Sequence, residues 1–79
     1  ASGRGLEEAE RLARRATELS GEGTAGRVRA RHTLGVVLSA RGKQEKARRA
    51  LGDAVSEAEK LGRKDLADAA RADLEKLGK

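Results

Sequence analysis

The chain has 79 residues, enough for one domain, with a net charge of +5 and no Cys, Pro, Met or aromatic residue. Without Cys there is no disulfide, thiolate metal site or thiol redox chemistry, and no Phe, Tyr or Trp is available to stack on a nucleobase. The longest aliphatic run, Val36-Val37-Leu38, falls far short of the ~20 residues of a membrane span, so no membrane partner is expected and the expected compartment is the cytoplasm.

The opening segment, Ala1 to Gly5, is read as a flexible N-terminal arm or a trimmed remnant. It lies outside a single helical domain over residues 6–78. The first predicted helix runs from about Leu6 to Leu19. Leu6, Ala9, Leu12, Ala13, Ala16 and Leu19 recur at helical spacing on the face expected to be buried. Glu7 with Arg11 and Glu10 with Arg14 are favourable i,i+4 pairs on the other face. Ser20-Gly21-Glu22-Gly23 then breaks the pattern, and Thr24 suits the next N-cap.

The second helix, about Thr24 to Arg41, carries two apolar stripes. Ala30, Leu34, Val37 and Leu38 form one, with Gly35 at its edge; Val28, Val36 and Ala40 fall roughly opposite, beside His32 and Ser39. A helix apolar on two sides is sandwiched between neighbours. Gly42 breaks the chain, because a Gly just past a helix end supplies the left-handed conformation that turns it back. The third helix, about Lys43 to Leu61, buries Ala47, Ala50, Leu51, Ala54, Ala58 and Leu61. Its wet face carries the pairs Glu45–Arg49 and Arg49–Asp53. The fourth, about Lys64 to Leu77, buries Leu66, Ala70, Leu74 and Leu77 and stops before Gly78. Asp65 and Asp68 near its start suit the positive end of the helix dipole.

An internal repeat is visible. Ala9, Ala13 and Ala16 recur as Ala47, Leu51 and Ala54, and Leu38 and Gly42 as Leu74 and Gly78, at offsets of 38 and 36 residues. Leu34-Gly35, Leu38, Gly42, Ala47, Leu51 and Ala54 follow the order and separation of a tetratricopeptide repeat, so the αα-hairpin resembles that family. The resemblance extends over nearly the whole chain. Ala58-Glu59-Lys60-Leu61-Gly62 and Ala72-Asp73-Leu74-Glu75-Lys76-Leu77-Gly78 are similar to repeat arrays of actinobacterial transcriptional regulators. Arg31, Leu38, Leu51 and Glu59 stand where the repeat often has Trp, Tyr, Phe and Pro. The fold class expected is all-α: a four-helix array of TPR-like hairpins, forming a short right-handed solenoid or a small bundle. The resemblance implies a protein or peptide ligand in a groove lined by Arg29, His32, Thr33, Val36, Ser39 and Ala40.

Catalysis needs a nucleophile with its base, paired carboxylates or a metal cage. His32 is the only His, and its neighbours one helical turn away are Val28 and Val36 rather than carboxylates. The expectation is therefore no enzyme, no cofactor and no metal. Basic charge is concentrated centrally: residues 27–49 hold eight Arg and Lys against Glu45 alone, a surface able to meet an acidic protein or phosphate. A helix-turn-helix reader of DNA would ask for an apolar residue at Arg48. Three readings result: a protein-interaction module, an engineered or excised helical scaffold without a natural ligand, and a basic nucleic-acid-binding domain. Only 14 residues are Leu or Val. So small a core, with the stripe Val28, Val36 and Ala40 to cover, leads to the expectation of a homodimer formed through the second helix.

Overall fold

The computed structural model of the chain describes residues 2–77, with side chains from Gly5 onward. Four helices, and no strand, are present among these residues: α1 (Ser2–Leu19), α2 (Ala25–Ala40), α3 (Gln44–Lys60) and α4 (Lys64–Leu77). The bounds of α2, α3 and α4 match the periodicity to within one residue. Helix α1 starts at Ser2, ahead of the expected start near Leu6, so residues 2–5 are helical. Ala1, Gly78 and Lys79 lie outside the described residues, and with them the expected stop at Gly78.

Two of the three connections are built alike. Gly42 and Gly62 have φ of +80° and +73°, a region open to Gly without the steric cost other residues meet. The Gly42 amide donates to the Ser39 carbonyl and the Lys43 amide to the Leu38 carbonyl, at 3.0 and 2.9 Å. The Gly62 and Arg63 amides donate to Glu59 and Ala58 at 3.1 and 2.9 Å in the same pattern. This is the Schellman motif, which satisfies the last helical carbonyls and reverses the chain within three residues. The first connection is capped from the other side. Thr24 is extended, and its hydroxyl oxygen accepts from the Arg27 amide at 3.2 Å, satisfying a free donor of the first turn of α2.

Each helix packs on its neighbours in the chain, α2 also meets α4, and α1 and α3 do not meet among the described residues. Helix α2 thus packs against all three others, in a body 17 Å through its thinnest direction. Two groups of buried side chains hold them. Val28 joins Ala54, Ala58, Ala67 and Ala70 between α2, α3 and α4. Ala13, Leu34, Leu38 and Ala47 join α1, α2 and α3. Ala at most of the crossing positions lets the helix axes approach closely, so few large side chains fill the gaps.

Two expected faces are corrected. Leu12 and Leu19 are 62% and 75% exposed and Ala16 is exposed, while Ala13, Glu10 and Thr17 turn inward. The apolar sector of α1 is wider than the one face α2 can cover, and the buried Glu10 carboxylate selects which edge goes in. Thr17 tolerates burial because its hydroxyl donates to the Ala13 carbonyl at 2.9 Å, leaving no unmet donor. In α2, Val28 is 1% exposed, so it forms no outer stripe with Val36 and Ala40. Helix α4, arriving through the Gly62 turn, covers it.

Candidate partner-binding groove

The residues expected to line a groove divide into two rows. Arg29, Thr33, Val36 and Ala40 are exposed along α2, at helical spacing of one face, and Val36 is 45% exposed. His32 and Ser39 are half-buried and turn toward α4. Val36 and Ser39 line a cavity of about 250 Å³ together with Leu51, Asp73, Lys76 and Leu77. Of the six residues expected from the sequence only Val36 and Ser39 line this cavity, and the expected set did not include the α4 wall of Asp73, Lys76 and Leu77. The signal available was the turn at Gly42 recurring at Gly62. Two successive reversals lay the fourth helix beside the second.

His32 gains its carboxylate from that wall. His32 Nε2 lies 2.6 Å from Asp73 Oδ2, across 41 residues of sequence. The His32 hydrogen bond, followed by Lys76 Nζ at 3.4 Å, outweighs burial and holds the Asp73 carboxyl below its ordinary range. An ionised carboxylate only accepts, so Nε2 carries the proton and donates. The contact ties α4 to α2 at the edge of the cavity. It supplies no nucleophile. No three His, Asp or Glu side chains gather as metal ligands among the described residues, and no helix there is long and apolar enough to cross a membrane.

Half of the basic centre is paired with acids from elsewhere in the chain. Arg31 pairs with Glu57. Arg41 lies 2.6 Å from Glu10 and 3.5 Å from Glu7, and Lys43 Nζ is 3.2 Å from Glu10. Arg14 completes the set at 3.0 Å, the expected i,i+4 pair. Burial pushes the Glu10 carboxyl up, but hydrogen bonds from Arg41, Arg14 and Lys43 together bring it down to about 2. The expected pairs Glu7–Arg11, Glu45–Arg49 and Arg49–Asp53 do not form among the described residues; Glu7 turns to Arg41 instead. Arg29 in the groove, and Lys46, Arg48 and Arg49 on α3, form no ion pair there.

No protein-family model, curated protein or solved structure matches this chain. The groove presents Val36 as its exposed large aliphatic side chain, with Leu77 and Lys76 on the α4 side, the hydroxyls of Thr33 and Ser39, and Arg29 two turns back along α2. Such a surface suits a peptide offering an apolar residue next to a carboxylate, because the charge meets Arg29 or Lys76 while the side chain covers Val36.

Proposed function

We propose that the chain is a protein-interaction module, a TPR-like helical array with no chemistry of its own, binding a peptide segment along α2. The observation that carries this reading is the open row Arg29, Thr33, Val36 and Ala40, beside the cavity shared with α4. The repeated Schellman turns at Gly42 and Gly62 support a hairpin array. The test is selection of binding peptides from a random displayed library, followed by affinity measurement with Val36→Glu. Selected peptides should carry acidic residues and lose at least about tenfold in affinity for the variant, a loss of ~1.4 kcal/mol. Selection of no peptide favours the ligand-free scaffold reading. Equal binding by Val36→Glu, with unchanged helicity, rejects the groove.

A specific observation also favours self-association, through α1 instead of α2. Leu12 and Leu19 are the most exposed large apolar side chains described, with Ala16 between them. Glu8 and Arg15 flank Leu12 and form no ion pair among the described residues. A two-fold axis beside Leu12 sets two α1 helices antiparallel. Glu8 of one copy then lies near Arg15 of the other, and the apolar row is covered.

A further inference from the structure

Helices α1 and α3 both pack on α2 without meeting each other, which leaves a furrow floored by one face of α2. Two cavities lie along it. The larger, about 440 Å³, is bounded by Arg27 and Arg31 of α2 and by Asp53, Glu57 and Lys60 of α3. The smaller, about 300 Å³, has Leu34, Leu38 and Ala50 beneath Arg14, Lys46 and Arg49. Both are lined by Arg31 and Asp53, so they adjoin across these two side chains. Arg27, Arg31, Leu34 and Leu38 follow one another at helical spacing, which makes the furrow about 16 Å long at ~1.5 Å per residue.

Its charges are unbalanced. Arg14, Arg27, Arg31, Lys46, Arg49 and Lys60 line it against Glu22, Asp53 and Glu57. Arg31 is taken by Glu57, and Arg14 shares Glu10 with Arg41 and Lys43. Lys46 and Arg49 form no ion pair among the described residues. At the other end, Arg27 Nε is buried and has no hydrogen-bond partner there; its guanidinium stands 3.9 Å from Glu22. The guanidinium end of Arg27, a lining residue of the larger cavity and beyond hydrogen-bond distance from Glu22, is available to an incoming carboxylate.

We propose that this furrow is a second binding site, distinct from the α2–α4 groove, for an acidic peptide segment bearing an aliphatic side chain. One carboxylate takes the Arg27 end and others meet Lys46 and Arg49. The aliphatic group rests on the Leu34, Leu38 and Ala50 floor. The aliphatic floor favours peptide over single-stranded nucleic acid, whose bases stack chiefly on aromatic side chains, and this chain has none.

The test uses a fluorescein-labelled peptide in which glutamates flank leucines, titrated into the full chain at low salt. Amide shifts are mapped by NMR alongside. Binding should shift residues around Arg27, Arg31, Lys46 and Arg49, and weaken at least about tenfold in Lys46→Glu/Arg49→Glu, both exposed positions that leave the core intact. Arg27→Gln should weaken it as well, whereas Val36→Glu should not. A glutamine-for-glutamate peptide should bind at least about tenfold more weakly. The proposal is overturned by no binding at millimolar peptide, by indifference to the charge-reversal variant, or by shifts centred on Val36 and Asp73. Tighter binding of a single-stranded oligonucleotide of equal charge, with the same variant dependence, overturns it in favour of nucleic acid.

Discussion

A Cβ built on Gly35 would lie 2.6 Å from Leu51 Cγ and 2.7 Å from its Cδ2, so the centre of the α2–α3 hairpin is a Leu seated against a bare helix backbone. Gly in a helix interior costs about 0.5–1 kcal/mol relative to Ala; here it admits a side chain that is 1% exposed. Gly35→Ala should therefore destabilise by about 1–3 kcal/mol, as overpacking does, in spite of its better helix propensity. Gly52 of α3 has no atom within 4 Å of such a Cβ, and Gly52→Ala should stabilise by about 0.4–1 kcal/mol. Denaturant melts of the two variants should move in opposite directions.

Leu51→Ala and Leu38→Ala should each cost about 2–5 kcal/mol, the range for emptying a packed core site. Combined with Gly35→Ala, Leu51→Ala should show coupling of at least about 0.5 kcal/mol, since the added methyl then occupies space the Leu has left. Leu38→Ala reports on the group joining α1, α2 and α3, and should add with Gly52→Ala. Thermal midpoints unchanged in both Leu variants would reject the hairpin packing.

Glu10 gives the chain an acid-sensitive stability. Its folded pKa of about 2 lies below the ordinary 4.5, so between these values the unfolded chain binds the proton more readily. This contribution is fully present above about pH 5 and is lost as pH falls through 4.5 toward 2. Glu10→Gln should flatten that limb of a stability-versus-pH curve. At neutral pH it should cost about 1–3 kcal/mol, toward the low end because Arg41, Lys43 and Arg14 retain partial solvent access.

Asp73→Asn should loosen α4 specifically. It removes the carboxylate that accepts from His32 at 2.6 Å, an interaction worth about 1 kcal/mol in a half-exposed setting. Hydrogen exchange should quicken in α4 and leave the protected amides of α2 and α3 unchanged. Uniform acceleration across all four helices would show that the contact supports the whole fold.

Leu12→Glu and Leu19→Glu should each shift a concentration-dependent dimer toward monomer, because a charge then sits in the shared apolar row. Sedimentation equilibrium over a wide concentration range distinguishes the α1 contact from one on α2. In the latter case Val36→Glu, not Leu12→Glu, would have the effect.

The local signals in the sequence were sufficient for the four helices. Apolar spacing marks α2, α3 and α4 along their length, Thr24 caps α2, and Gly42 and Gly62 adopt the left-handed conformation that ends each helix. These features depend on residues within a turn or two of one another, so they are readable before anything packs. What the tertiary structure decided is rotation and partnership. The broad Ala-rich face of α1 is compatible with several orientations, and the one adopted buries Glu10 and exposes Leu12 and Leu19. That orientation places Glu10 against Arg41 and Lys43, more than thirty residues away. Val28 is covered only because α4 returns beside α2, and His32 meets a carboxylate only through that same return. Periodicity specifies that a face is apolar; only the assembled helices determine which part of it is covered and which charges are drawn in with it.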